Sequence, residues 1–115
     1  MAEKIRIVVA DDHPLLRQGV VQVLSAEDDL LVVGEAGTGE EAFRLAVDLA
    51  PDLMMIDLDM PGEGGISAIG RITAAVPETC ILVLTVSEDP SHLMKALRAG
   101  ARGYVLKGVS APGLV

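Results

Sequence analysis

The sequence predicts an α/β protein built on a doubly wound, five-stranded parallel sheet. Short apolar runs rich in branched residues recur along the chain, and segments with helical periodicity separate them. The runs are almost continuously hydrophobic rather than alternating, as is typical of parallel strands that helices cover on both faces. The five predicted strands are Ile5 to Ala10, Leu30 to Val33, Leu53 to Ile56, Cys80 to Leu84 and Tyr104 to Leu106.

The first helix is expected to begin near Pro14, because proline is favoured at the first helical position. Arg17 belongs to the polar face of this helix. The apolar positions that share a helical spacing, and that we expect to be buried, are Leu16, Val20, Val23 and Leu24.

The second helix has the clearest start signal in the chain. Thr38 followed three residues later by Glu41 matches a capping box. We expect the helix to run to about Ala50, with Pro51 closing it. Its apolar face consists of Ala42, Leu45, Ala46 and Leu49.

The last two predicted helices are bounded by glycine and proline. The third starts near Gly65, and the fourth starts at Asp89-Pro90 and ends at Gly100. The core positions expected in the third helix are Ile66, Ile69 and Ile72.

Length and composition predict a single cytoplasmic domain. The 115 residues suit one domain, 1–115, and the chain stops where a fifth helix is expected to begin, so that helix is either truncated or left out of the sequence. The single cysteine, Cys80, cannot form an internal disulfide, which excludes a disulfide scaffold and favours an intracellular protein. No apolar run approaches the ~20 residues that a membrane span needs.

The charge balance argues against direct binding to nucleic acid. Seventeen acidic side chains against nine basic ones give a net charge of −8, whereas the phosphate backbone favours clustered lysine and arginine. A role on DNA would therefore need another domain. The glycines of "GEAGTGE" have the wrong spacing for a dinucleotide-binding loop.

Polar residues follow or end most of the predicted strands. They are Asp11 and Asp12 after the first, Glu35 after the second, Asp57 after the third, Thr85 after the fourth and Lys107 after the fifth. Right-handed crossovers in a sheet of order 2-1-3-4-5 place strand 2 at an edge and open a crevice between strands 1 and 3. We therefore expect all of these residues except Glu35 to converge at that crevice.

This convergence predicts a site for a cation and a phosphate. Three carboxylates in one place repel one another unless one is protonated or a cation lies among them. Oxygen ligands with room for water suit Mg²⁺, and Mn²⁺ would fit similarly. The hydroxyl of Thr85 and the ammonium group of Lys107 are suited to phosphoryl oxygens.

Four segments of the chain resemble a known family. "VVADDHPLLRQGV", "DLDMPGEGG", "VLTVSED" and "ALRAGARGYVLK" are similar to the receiver domain of bacterial two-component response regulators, most closely the NarL/FixJ-type transcriptional regulators with a LuxR-class output domain. The resemblance runs in order from Ile5 to Lys107. It implies a flavodoxin-like (CheY-like) fold and a signalling domain rather than an enzyme that turns over a metabolite.

The resemblance also implies a role for several acidic residues. Asp57 matches the phospho-accepting aspartate, which also contacts the metal ion. Asp12 matches a direct Mg²⁺ ligand that Asp11 assists, and Asp59 matches the position that offers its backbone carbonyl to the metal.

The remaining matched positions concern phosphate binding and signal output. Thr85 matches the switch hydroxyl, Tyr104 the switch aromatic residue and Lys107 the phosphate-binding lysine. Lys107 is followed by Gly108, where many receivers have a proline in a cis bond, so the bond geometry there is left open.

The implied function is regulated transcription. A sensor histidine kinase would supply the phosphoryl group to Asp57, in a Mg²⁺-dependent transfer that the domain itself helps to catalyse, as it does the later dephosphorylation. The phosphorylated state would change the surface of the fourth helix and fifth strand. DNA would be reached only through an output domain outside this chain. No membrane contact is implied. The sequence leaves open whether the chain dimerises.

Other functions compete with this interpretation. Asp57 and Asp59 also match the start of a haloacid-dehalogenase-type phosphatase motif, although Pro61 and the short chain oppose it. A pseudo-receiver that keeps the fold without accepting phosphate is a further alternative, which the intact set of acidic, threonine and lysine positions opposes.

Single residues have alternatives too. Asp11 and Asp12 could merely cap the first helix. Tyr104 could be a core residue of the edge strand. His13 has no partner at metal-ligand spacing and is expected on the surface.

Overall fold

The computed structural model describes residues 4–58, 65–85 and 90–106, in which five strands alternate with four helices. The elements are β1 (Ile5–Ala10), α1 (Pro14–Ser25), β2 (Leu30–Ala36), α2 (Gly39–Leu49), β3 (Leu53–Asp57), α3 (Gly65–Ala75), β4 (Cys80–Thr85), α4 (Pro90–Ala99) and β5 (Gly103–Leu106). All five predicted strands are present, and β2 continues beyond its predicted end at Val33 as far as Ala36. The region of the expected fifth helix lies outside the described residues. Across those that are described, no helix is long and apolar enough to cross a membrane.

The strands form one parallel sheet in the order β2-β1-β3-β4-β5, which confirms the predicted doubly wound topology. Ala10 of β1 is in register with Ile56 of β3, and Asp57 is in register with Leu84 of β4. The carboxyl ends of the central strands therefore lie side by side. Residues that follow these strands meet at one edge of the sheet.

Two apolar layers cover the sheet, one on each face. Val8 and Ile56 point to the face covered by α2 and α3, whereas Ile7, Val9 and Met55 point to the face covered by α1. This alternation along each strand is the reason that the strand sequences are apolar at nearly every position.

Helix α1 contributes less of its predicted face to the core than its periodicity indicates. Val20 and Leu24 are buried, as predicted, but Leu16 is 37% exposed, so its expected burial is wrong. The first turn of α1 lies beyond the carboxyl end of β1, where the sheet offers little surface to cover a side chain.

Helix α2 is closed at both ends by specific hydrogen bonds. The hydroxyl of Thr38 accepts a hydrogen bond from the backbone N–H of Glu41 at 3.1 Å, which confirms the predicted N-cap. At the other end Ala50 adopts a left-handed conformation with φ of 43°, and the guanidinium of Arg6 donates to the carbonyl of Leu49 at 2.8 Å. The first bond fixes the start of α2, and the second ties its end to Arg6 of β1.

We predict that Thr38→Ala lowers the free energy of unfolding by about 1 kcal/mol, because the substitution leaves the N–H of Glu41 without its side-chain acceptor. Urea unfolding would measure the change. Thr38→Ser is the matched control, since it keeps the hydroxyl and should retain most of the stability. Equal stability of Thr38→Ala and the wild type would contradict the prediction.

Candidate functional site

Three aspartates from two strand ends meet at the carboxyl edge of the sheet. One ligand atom from each of Asp11, Asp12 and Asp57, together with one from His13, lies within 4.8 Å of the others. Asp11 and Asp57 are fully buried, and the side chain of Asp12 is 27% exposed. The structure therefore brings together the three carboxylates whose convergence the strand ends predict.

Asp11 is held by its main chain as well as by its side chain. Its N–H donates to the carbonyl of Ala36 at the end of β2 over 2.9 Å. Its carbonyl accepts from the guanidinium of Arg17 at 2.7 Å, and its Oδ1 accepts from the N–H of His13 at 2.9 Å. The last bond is the local turn that aspartate side chains commonly form with the backbone two residues on.

The acidic pair does not cap α1. The residue at the N-cap position is His13, with extended backbone angles, and Pro14 follows it as the first helical residue. No side-chain capping bond is formed at this end of α1. The carboxylates of Asp11 and Asp12 instead face Asp57, so the alternative that they are only helix caps is wrong.

His13 is the member of this cluster that the sequence analysis missed. Its side chain is 63% exposed, yet its Nδ1 lies 3.2 Å from Oδ1 of Asp11 and 3.1 Å from Oδ1 of Asp12. Its position directly after two acidic residues and directly before a helix is the sequence signal that could have indicated this contact. The imidazole thus borders the cluster on its solvent side.

Asp57 is positioned by the close approach of α3. The N–H of Leu58 donates to the carbonyl of Leu84 at 3.2 Å, and the N–H of Gly65 donates to the carbonyl of Leu58 at 3.3 Å. A Cβ atom at Gly65 would lie 2.6 Å from the Cα of Leu58 and would overlap the carbonyl oxygen of Asp57. Glycine at the start of α3 is therefore required for the backbone path that presents Asp57.

The other predicted site residues are placed only in part. Thr85 is the last residue of β4 and pairs with Leu106, although its side chain is not among those described. Asp59 and Lys107 lie outside the described residues, as does the bond between Lys107 and Gly108. Lys107 comes next in sequence after Leu106, the register partner of Thr85.

Tyr104 is not a core residue. It lies in β5 at the edge of the sheet, opposite the buried Val83, and it is 51% exposed. Two side chains of α4, Met94 and Leu97, are also exposed, at 46% and 40%. The alternative that Tyr104 fills the core is wrong, because half of its surface is exposed on this edge strand.

The donor set of the cluster fits a hard divalent cation. All three aspartates offer oxygen atoms, which Mg²⁺ and Mn²⁺ prefer, and the partial exposure of Asp12 leaves access for water ligands. Buried carboxylates this close together also repel one another unless positive charge is supplied. The geometry can therefore hold a cation and, with it, an anionic group beside Asp57.

Comparison with known proteins identifies the family. The model of the response regulator receiver domain matches residues 7–115. The chain belongs to this family. A transcriptional regulatory protein, YhcZ of Bacillus subtilis, is 44% identical over 110 residues, which cover 96% of this chain and 51% of YhcZ. The receiver domain therefore spans about half the length of this relative.

Solved receiver structures confirm the fold. The signal receiver domain of NarL from Mycobacterium tuberculosis has a TM-score of 0.94 and 37% identity, covering 99% of this chain and 92% of that one. The isolated receiver domain of RcsB from Salmonella enterica, solved in the presence of the phosphomimetic BeF₃⁻, has a TM-score of 0.88 and 30% identity, covering 97% and 83%. The predicted receiver domain of the NarL type is confirmed.

Membership of this family also decides one of the alternatives. A receiver domain is a signalling module of two-component systems, and its matched region covers nearly the whole chain. The alternative of a haloacid-dehalogenase-type phosphatase is therefore wrong.

We predict that Gly65→Ala destabilises this receiver domain by about 1–3 kcal/mol, the usual cost of forcing an atom into a packed site, because the new methyl group meets the backbone of Asp57 and Leu58. Urea unfolding would measure the loss. Gly70→Ala is the matched control in the same helix, where a Cβ atom meets nothing within 4 Å. It should instead stabilise α3 by up to about 1 kcal/mol. Equal effects of the two substitutions would contradict the proposed close approach.

Proposed function

We propose that this receiver domain accepts a phosphoryl group on Asp57 from a sensor histidine kinase, in a reaction that depends on Mg²⁺. The observation that carries the proposal is the cluster of Asp11, Asp12 and Asp57, whose carboxylate oxygens lie within 4.8 Å of one another. Such a cluster has little structural purpose without a cation, since burial of like charges costs free energy.

The metal would be held by the side chains of Asp11, Asp12 and Asp57, and by the backbone carbonyl of Asp59 as the family resemblance implies. When bound, Mg²⁺ or Mn²⁺ supplies positive charge that offsets both the carboxylates and the oxygens of the incoming phosphoryl group. The three aspartates supply the hard oxygen donors for this task.

Asp57 is the carboxylate best placed to act as nucleophile. It ends a central strand, whereas Asp11 and Asp12 each have an oxygen within 3.2 Å of the imidazole of His13. A carboxylate oxygen has no proton to lose when it attacks phosphorus, so Asp57 can act as nucleophile without a general base. A phosphorus–oxygen bond to Asp57 forms as the phosphorus–nitrogen bond of the kinase's phosphohistidine breaks, and the electron pair leaves with the imidazole.

The product is an acyl phosphate, a mixed anhydride that water can later cleave. Attack of water on phosphorus returns the free Asp57 carboxylate and inorganic phosphate, which limits the lifetime of the signal. We assign the hydroxyl of Thr85 and the ammonium group of Lys107 to the phosphoryl oxygens, where a hydrogen-bond donor and a cation would stabilise the transferring group. The domain thus assists its own modification in both directions.

The solved RcsB receiver supports this assignment. It belongs to the same family, and its structure was determined with a phosphomimetic present. The proposal requires that this chain, like that receiver, is a domain to which a phosphoryl group or its mimic is relevant.

Signal output would pass through α4 and β5. Exposed Met94, Leu97 and Tyr104 give this surface an apolar character that suits a protein partner. We propose that phosphorylation draws the hydroxyl of Thr85 towards the phosphoryl group and that Tyr104 moves with it. The altered surface would then act on a second copy of the chain or on an output domain.

The wider role follows from the relatives. The chain spans half of YhcZ, which is named a transcriptional regulatory protein. We propose that residues 1–115 form one receiver domain, that it works in the cytoplasm, and that it acts on DNA only through an output domain outside this chain. The net charge of −8 supports the assignment of DNA binding to an output domain, because an acidic receiver repels the phosphate backbone of DNA.

Intact mass spectrometry tests the acceptor directly. After incubation with Mg²⁺ and a small acyl-phosphate donor, we expect a mass increase of a single phosphoryl group on the wild type. The adduct should be absent without Mg²⁺ and absent in Asp57→Asn, which removes the nucleophile but keeps its size. An unmodified wild type under these conditions would favour a pseudo-receiver, and an adduct that survives in Asp57→Asn would place the acceptor elsewhere.

The dependence of the free energy of unfolding on Mg²⁺ tests the proposed metal site. At a Mg²⁺ concentration a hundred times the dissociation constant, binding to the folded state should raise the free energy of unfolding by about 2.7 kcal/mol. We expect Asp12→Asn to lose most of this gain, yet to be more stable than the wild type without metal because one of three crowded charges is gone. Asp28→Asn, an exposed aspartate in the turn after α1, is the matched control and should keep the full response. The same Mg²⁺ response in Asp12→Asn and the wild type would refute this metal site.

A further inference from the structure

Arg17 lies beside the acidic cluster rather than on an open polar face. Its side chain is only 22% exposed, and its guanidinium spans the carboxyl ends of β1 and β2. Nη1 donates to the carbonyl of Asp11 at 2.7 Å and reaches the carbonyl of Ala36 at 3.4 Å. Nε donates to Oε1 of Glu35 at 3.1 Å. One side chain of α1 therefore ties together the ends of two neighbouring strands.

The carbonyl that Arg17 holds belongs to the peptide unit between Asp11 and Asp12. Because a peptide unit is planar, fixing its oxygen also fixes the direction in which the chain continues into Asp12. The preceding peptide is fixed separately, since the N–H of Asp11 donates to Ala36 at 2.9 Å. The backbone on both sides of Asp11 is thereby anchored to the end of β2.

We infer that Arg17 is a positioning residue of the metal site, which keeps the carboxylates of Asp11 and Asp12 directed into the cluster by holding the peptide that joins them. The inference rests on the proposed function, because it takes the cluster to be a Mg²⁺ site. Glu35 acts one step further away, by accepting a hydrogen bond from Nε of Arg17 while Nη1 binds Asp11.

The direction in which Mg²⁺ affinity changes when Arg17 is replaced distinguishes a positioning role from a purely electrostatic one. Arg17 carries a positive charge near a site for a cation, so removal of that charge alone would strengthen Mg²⁺ binding. A positioning residue behaves in the opposite way, since its removal lets the ligands leave their aligned geometry. A purely structural residue would change stability and leave the affinity of the folded domain unaltered.

The test is a Mg²⁺ titration of the whole chain, with Mg²⁺ alone as the probe and the backbone amide signals of residues 11–13 followed by NMR. We expect Arg17→Gln to raise the dissociation constant about tenfold, as is typical of residues that support metal ligands. Arg17→Lys keeps the charge but cannot reproduce the bonds to Asp11 and Glu35 together, so its dissociation constant should lie between those of Arg17→Gln and the wild type. The metal-free amide signal of Asp12 should also shift in both variants.

Two further variants serve as controls. Arg44→Gln removes the same charge from an exposed position of α2 and should leave the dissociation constant unchanged. Glu35→Gln keeps the bond between Arg17 and Asp11 and should weaken Mg²⁺ binding less than Arg17→Gln does. Urea unfolding in the absence of metal would show that each variant is folded during the titration.

The titrations distinguish failure of the positioning role of Arg17 from failure of the proposed Mg²⁺ site. Affinity of folded Arg17→Gln that equals or exceeds the wild type would overturn the positioning role alone. If Arg17→Gln does not fold, wild-type affinity in Arg17→Lys would overturn it in the same way. Absence of saturable Mg²⁺ binding by the wild type would overturn the proposed metal site and this inference together.

Discussion

The crowding of three carboxylates at one edge of a parallel sheet is the constraint on which the rest of this structure depends. Asp11 and Asp57 are fully buried, and their ligand atoms lie within 4.8 Å of each other and of Asp12. Buried charges of one sign are unfavourable unless a cation or hydrogen-bond donors compensate them. These buried charges therefore need such compensation, and the oxygen donors that the three aspartates offer suit a divalent cation.

Main-chain contacts contribute much of what holds the cluster in place. Main-chain bonds anchor Asp11 to the end of β2, and the close approach of Gly65 sets the path of the chain after Asp57. Asp57 ends a strand, and Asp11 and Asp12 directly follow one, so the sheet gives all three a rigid support. The topological switch point between β1 and β3 therefore serves as the framework of the site.

Several features followed from the residues alone because they depend on local patterns. The apolar runs predicted the strands, Thr38 and Glu41 predicted the start of α2, and the polar residues after β1 and β3 predicted the acidic cluster. The end of β2 did not follow, because an edge strand tolerates residues such as Gly34 and Glu35 that weaken the apolar signal.

Local sequence was thus sufficient for the elements, their order in the sheet, the meeting of the three aspartates and the resemblance to receiver domains. It was not sufficient for contacts between residues far apart in the chain or for how much of a periodic face becomes buried. The bond from Arg17 to Glu35, the exposure of Leu16 and Tyr104, and the tight fit of Gly65 against Asp57 all depend on where separate elements come to rest against one another. Hydrophobic periodicity specifies which side of an element faces the core, whereas the packing of neighbouring elements determines which of those positions are covered and which polar groups meet.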